Sequence, residues 1–293
     1  MTKIIIADNL EPEVVEELKK LGTVVYKPSN LQAELKDADA LIVRSATKVS
    51  HELLATNHKL KIVARAGVGL DNVDVKSCEA RGIKVINTPG SSSNAVAELT
   101  IGLIISMLRK VQKAHHQMKN KVWDKKSLTG EEIEGKTLGI IGYGRIGSLV
   151  AKKAKALGMN VLACDPKTKG DSNAKIVTID ELFKSSDVIS LHTILTPETK
   201  DMINAKNIAK MKNGVYLVNL ARGDLIDETA LYEACKSGKI AGAALDVYKE
   251  EPYSGKLLEL DNVYFTPHLG AATKEAQLRI GKELVEKLKE ELK

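Results

Sequence analysis

Short continuous apolar runs alternate along most of the chain with longer stretches in which apolar positions recur every three or four residues. The runs read as strands buried on both faces, and the stretches between them as amphipathic helices. From the N-terminus the pattern predicts strands over residues 3–7, 23–26, 40–43, 61–64 and 84–86, with helices near 11–21, 31–36, 51–55 and 73–81. Pro12 near one helix start and Gly22 and Gly82 just past two helix ends fit that division. Such alternation predicts a small doubly wound parallel sheet, whose ligands sit at the carboxyl ends of the strands. The loops at that edge are Arg44-Ser45-Ala46-Thr47, Arg65-Ala66-Gly67-Val68-Gly69 and Asn87-Thr88-Pro89-Gly90.

Pro89-Gly90-Ser91-Ser92-Ser93 has the composition of a hinge. Residues 95–116 then run without proline and are apolar nearly all round, which predicts one long helix buried on several sides, a subunit interface among them. The single tryptophan, Trp123, follows among lysines. The alternation resumes with strands over 137–141, 160–164, 188–191, 215–220, 241–245 and 263–266, and helices near 148–154, 180–184, 204–210 and 228–237. The tail, 272–293, reads as one amphipathic helix that returns to the first domain, because chain termini often lie close together. The expected architecture is α/β with two doubly wound parallel-sheet domains. A flavodoxin-like substrate domain comprises 1–90 plus 271–293, and a Rossmann NAD-binding domain comprises 91–270.

The most specific local pattern is the run 137–141 followed by Gly142-Tyr143-Gly144-Arg145-Ile146-Gly147 and a helix. Gly142 permits a tight turn, Gly144 lets backbone approach a pyrophosphate, and Gly147 lets the helix pack close on the strand. Free N–H groups and the positive end of the helix dipole then face the phosphates. The next strand ends in Asp165, placed to bind the adenosine ribose hydroxyls and repel a 2′-phosphate. The expected cofactor is NAD rather than NADP.

Composition narrows the rest. The chain has 293 residues, 43% hydrophobic and 28% charged, enough for two soluble globular domains. Its net charge of +6 is scattered and only 3% of residues are aromatic, so no nucleic-acid stripe is present; the excess suits an anionic substrate. The three cysteines, Cys78, Cys164 and Cys235, are far apart and suggest neither a disulfide framework nor a metal site. With no signal-peptide pattern and no membrane-length apolar run, a cytoplasmic location is expected.

Candidate chemistry lies at the ends of the last three strands. They run into Ala221-Arg222-Gly223-Asp224, into Asp246 with Glu250-Glu251-Pro252 beyond it, and into Pro267-His268-Leu269-Gly270. In a parallel sheet these ends share the edge occupied by Gly142–Gly147. An arginine fork binds a carboxylate and polarises a carbonyl, a histidine takes a hydroxyl proton, and a carboxylate on its other nitrogen orients the ring. Taken singly, Arg222 fits a surface ion pair, Glu251 a solvated loop and His268 a structural role; their coincidence at three successive strand ends points to hydride transfer at an alcohol carbon.

Several segments resemble the D-isomer-specific 2-hydroxyacid dehydrogenases over essentially the whole chain: residues 43–49, 65–74, 87–89, 97–100, 135–147, 218–228, 241–247, 250–252 and 267–273. The likeness is greatest to the members that oxidise D-3-phosphoglycerate to 3-phosphohydroxypyruvate, opening phosphorylated serine biosynthesis. The resemblance implies catalytic Arg222, Glu251 and His268. It implies cofactor contacts at Gly142, Gly144, Arg145, Ile146, Gly147 and Asp165, with Asp246 on the nicotinamide carboxamide and His192 nearby as a pocket wall. For the substrate it implies Arg44, Ser45 and the backbone N–H groups of Gly67 and Val68. It further places Trp123 at a dimer interface and Lys125 near the neighbouring subunit's site; the expected assembly is a homodimer, with a tetramer as the alternative. It implies no nucleic-acid or membrane partner.

Two departures stand out. Ser92 replaces an asparagine that some relatives place near the substrate, and the chain stops at Lys293 where long relatives append a serine-binding regulatory domain, so feedback through such a domain is not expected. The alternatives are a glyoxylate or hydroxypyruvate reductase on the same fold and a dehydrogenase-like, NAD-sensing corepressor. Arg44, Ser45 and Lys125 favour a phosphorylated substrate over the first, because a dianion needs fixed cations.

Overall fold

A computed structural model describes residues 2–292; Met1 and Lys293, the expected end of the tail helix, lie outside the described residues. The chain forms two compact units, residues 1–93 with 271–293, and residues 94–270.

In the first unit, β1 (Lys3–Ile6), β2 (Thr23–Tyr26), β3 (Ala40–Val43), β4 (Ile62–Arg65) and β5 (Lys84–Asn87) form one parallel sheet in the order β2-β1-β3-β4-β5. That is the flavodoxin-like order. The connecting helices are α1 (Pro12–Lys19), α2 (Leu31–Leu35), α3 (His51–Ala55) and α4 (Val75–Ala80). The last three start where Asn30, Ser50 and Asp74 accept a backbone N–H from inside the first turn. Because successive strand residues face opposite ways, Ile4, Ile6, Ile42 and Ala64 pack against Val14, Leu18 and the C-terminal helix (Lys274–Glu291), while Ile5, Leu41, Val43 and Val63 pack against Leu35, Leu54 and Cys78.

In the second unit, α5 (Ser93–Leu108) and α6 (Val111–Lys119) precede β6 (Thr137–Ile141), α7 (Arg145–Ala156), β7 (Asn160–Cys164), β8 (Lys175–Ile176), α8 (Ile179–Ser185) and β9 (Val188–Leu191). There follow α9 (Ala205–Lys210), β10 (Val215–Asn219), α10 (Glu228–Ser237), β11 (Ile240–Leu245) and β12 (Val263–Phe265). The seven parallel strands lie in the order β12-β11-β10-β9-β6-β7-β8; the sequence in which the chain adds strands reverses between β6 and β9, the crevice where dinucleotides bind in such sheets. One face packs α5 residues Ile101, Ile104 and Met107 with Val150 and Ala154; the other packs Phe183, Ile208 and Leu231.

The single helix expected over 95–116 is two helices. Lys110 adopts a left-handed conformation (φ 52°), and the Leu108 carbonyl, which a continuous helix would offer to Gln112, accepts the Glu131 N–H at 3.0 Å. The two-residue strand β8 is too short to leave a periodic signal and was not anticipated. Among the described residues, no helix is long and apolar enough to cross a membrane.

Candidate active site

Register places Cys164, Ile141, Leu191, Asn219, Leu245 and Phe265 opposite one another, a single row across six adjacent strands at the carboxyl edge of the second sheet. At about 4.8 Å per strand the row is about 24 Å long. Apart from Lys125, every residue proposed for catalysis or cofactor binding in this unit follows that row within a short loop. The apolar runs dictate the register, and the chemistry begins where each run stops.

The β6–α7 turn is built for close backbone approach. Gly142 sits at φ 93°, and a Cβ there would lie 2.6 Å from the His192 carbonyl carbon. A Cβ on Gly147 would lie 2.1 Å from the Gly142 carbonyl oxygen, so only glycine lets α7 start against the strand. At Gly144, by contrast, a Cβ would meet nothing within 4 Å; the backbone there faces open space, and no side chain caps α7, whose first residues are Arg145 and Ile146. An uncapped helix start facing open space fits a pyrophosphate. Asp165 accepts the Tyr143 N–H and the Lys167 N–H, each at 2.8 Å, which fixes its carboxylate at the end of β7. The residues present therefore fit NAD. Tyr143 adds a strut, its hydroxyl donating to Asp171 at 2.7 Å across the loop beyond Asp165.

His192 follows β9, with Nε2 2.8 Å from Ser190 Oγ. Burial pushes its imidazole down to about 4, so the ring is neutral at ordinary pH. That suits a wall of the cofactor site.

Beyond β10, buried Asn219 shapes the loop that presents Arg222: its Nδ2 donates to the Arg222 carbonyl at 2.7 Å and its Oδ1 accepts the Ala221 N–H at 3.0 Å. Asp246, 1% exposed, accepts three donors from one segment, Thr266 Oγ1 at 2.6 Å, Leu269 N–H at 2.7 Å and Gly270 N–H at 2.8 Å. Sequence reasoning gave Asp246 a cofactor contact and missed this clamp, which fixes the loop carrying His268. His268 itself is left-handed (φ 54°), a conformation that costs a non-glycine residue energy and persists only where its surroundings impose it. Its Nδ1 lies 2.9 and 3.1 Å from the two Glu251 oxygens, with both side chains partly exposed.

In the first unit, Val43, Arg65 and Asn87 lie in register, so the loops they open share an edge. Asp8 accepts the Arg44 N–H at 2.6 Å and the Thr47 hydroxyl at 2.7 Å, while Asn72 Nδ2 donates to the carbonyls of Arg44 and Thr47 at 2.7 and 2.6 Å. The loop is thus held from both sides, with Ser45 exposed at its tip. Asp8 lies outside every segment that carries the resemblance, and Asn72, though inside 65–74, was given no role there. Of the two backbone donors expected at Gly67 and Val68, the Gly67 N–H is committed to the Arg65 carbonyl at 2.9 Å. Arg65 was also missed: its guanidinium covers Gly67, where a Cβ would lie 1.7 Å from Nη1, and its only signal is its place at the head of the loop. Lys125 lies in an exposed turn after Trp123, itself 76% exposed.

Residues 101–270 match the family described as D-isomer specific 2-hydroxyacid dehydrogenase, NAD binding domain. A hydroxypyruvate reductase from Thermotoga maritima is 47% identical over 99% of this chain and 98% of its own length. A D-3-phosphoglycerate dehydrogenase from Methanocaldococcus jannaschii is 46% identical over 100% of this chain, which spans only 58% of that protein. Among solved structures, a D-lactate dehydrogenase from Aquifex aeolicus complexed with NAD and lactic acid superposes with a TM-score of 0.88 at 35% identity, covering 98% of this chain and 94% of that one.

Proposed function

Because the chain belongs to the D-isomer specific 2-hydroxyacid dehydrogenases, we propose that it oxidises D-3-phosphoglycerate at C2 to 3-phosphohydroxypyruvate, the first step of phosphorylated serine biosynthesis. NAD, when bound, supplies the acceptor for the C2 hydride. Gly142, Gly144 and the start of α7 would hold its pyrophosphate, and Asp165 its adenosine ribose.

The observation that carries the reading is His268 Nδ1 at 2.9 Å from Glu251, on the same row of strand ends as Arg222. A carboxylate can only accept, so Nδ1 carries the ring's proton and Nε2 keeps a lone pair to take the C2 hydroxyl proton. Glu251 then stabilises the imidazolium that results. The planar fork of Arg222 binds the substrate carboxylate and the C2 oxygen as it becomes a carbonyl. Arg44 and Ser45 bind the phosphate, with Lys125 of a second copy adding a cation. The assembly is a homodimer built on the second unit.

A second reading, reduction of hydroxypyruvate, is supported by the Thermotoga relative that this chain matches along 98% of its length. NADH formation with D-3-phosphoglycerate, D-glycerate and D-lactate, measured side by side, separates the two. The expected result is highest kcat/KM on D-3-phosphoglycerate, lowered roughly 10- to 100-fold by Arg44→Ala, the value of one charge-assisted hydrogen bond, with D-glycerate little affected. Equal efficiency on D-glycerate, untouched by Arg44→Ala, would favour the reductase.

A further inference from the structure

Arg222, Glu251 and His268 sit on three separate segments, and one residue outside the trio touches all three. Tyr248 follows β11. Its backbone packs against Gly223, where a Cβ would lie 2.0 Å from the Tyr248 carbonyl carbon, so the turn immediately after Arg222 rests on it. Its N–H donates to Glu251 Oε1 at 3.3 Å. Its hydroxyl lies 2.9 Å from the Leu245 carbonyl and 2.8 Å from the Thr266 carbonyl, spanning the ends of β11 and β12.

The Thr266 carbonyl matters most, because it also accepts the His268 N–H at 3.0 Å in the tight turn where His268 is left-handed. A hydroxyl has one proton to share between two carbonyls, so it acts as a strut that bridges them rather than as two independent bonds. The ring is wedged in place, its centroid 4.5 Å from Tyr253 and 6.5 Å from Phe265. Burial pushes the phenol up to about 12, so it remains a donor across the working pH range. A phenylalanine would fill the same stack; only the hydroxyl serves the two carbonyls.

We infer that Tyr248 is a positioning residue for the acid–base pair: its hydroxyl and its amide hold Thr266 and Glu251 so that His268 Nδ1 stays on the carboxylate. This rests on the reading of His268 as the base. The test compares full-length Tyr248→Phe, Tyr253→Phe and His268→Gln with the unsubstituted protein, using NAD and D-3-phosphoglycerate. For Tyr248→Phe, kcat falls about tenfold, the rate equivalent of one lost hydrogen bond, while KM for NAD is unchanged. The acidic limb of its pH profile moves to lower pH, because an imidazolium held less closely by Glu251 forms less readily. Tyr253→Phe, which removes only a hydroxyl 3.3 Å from Glu228, behaves like the parent. Parental kcat and an unmoved acidic limb in Tyr248→Phe would overturn the inference. If His268→Gln also keeps parental turnover, the catalytic reading itself falls; if it loses turnover, only the role of Tyr248 does. Should Tyr248→Phe not fold, NMR of the unsubstituted protein decides: the Tyr248 hydroxyl proton is protected from exchange, and exchange as fast as that of a solvent-exposed tyrosine refutes the strut.

Discussion

His192 and His268 carry the same side chain in opposite settings. His268 is partly exposed beside a carboxylate, whereas burial pushes His192 down to about 4 and leaves Ser190 as its polar partner. An unfolded imidazole titrates near 6.5, so between that value and about 4 the unfolded chain binds a proton that the folded ring refuses. Protonation therefore favours the unfolded chain, and this residue's contribution to stability declines as pH falls through that window and levels off below it. The ceiling is about 3 kcal/mol, and half-burial of the ring reduces it. Urea unfolding at neutral pH and again near the lower end of the window should show His192→Gln losing less stability on acidification than the parent. Identical losses would mean that the ring is not held neutral. Burial acts likewise on the thiols, pushing Cys78 up to about 11 and Cys235 up to about 12, so neither is a nucleophile at neutral pH.

At the scale of elements, what was legible in the sequence is what local chemistry dictates. Strands β6, β7 and β9 stop where their apolar runs stop, and the glycine turn is readable because sterics at Gly142 and Gly147 admit no side chain. Both sheets and the Rossmann character of the second follow from that pattern. The break between α5 and α6 was not legible, since it depends on Glu131 capturing the Leu108 carbonyl from a distant part of the chain. The same reason hid the roles of Asp8, Asn72, Asn219 and Tyr248: each works by hydrogen bonds to backbone far away or around a corner, and even for Asn72 and Asn219, which lie inside segments that carry the resemblance, residue type and spacing do not say what they hold. Asp246 was found for its position at a strand end, yet its three bonds to the 266–270 segment appear only when β11 and β12 lie side by side. Motifs thus point to the groups proposed to touch ligand, while the groups that aim them required the fold.

At the scale of the molecule, the apolar side chains left exposed concentrate after α5, with Trp123 at 76%, Met118 at 54%, Val111 at 50% and Val122 at 45%. A run of that kind, interspersed with lysines, is the composition of an interface anchored by an aromatic residue. Light scattering at micromolar concentration should give twice the 31.8 kDa chain mass, and Trp123→Ala should shift the population toward monomer. A monomeric mass for the unsubstituted protein would remove the dimer and the proposed role of Lys125 in a neighbouring site. The central claim, however, is the division of labour between His268 and Glu251, and the pH dependence of kcat in Glu251→Gln tests it most directly. The amide keeps the size of the side chain but cannot stabilise an imidazolium, so the acidic limb should move to lower pH and kcat should fall, with His268→Gln losing roughly 10²–10⁴-fold alongside it. An acidic limb that stays where the parent's lies would contradict the pairing of Glu251 with His268 and the mechanism built on it.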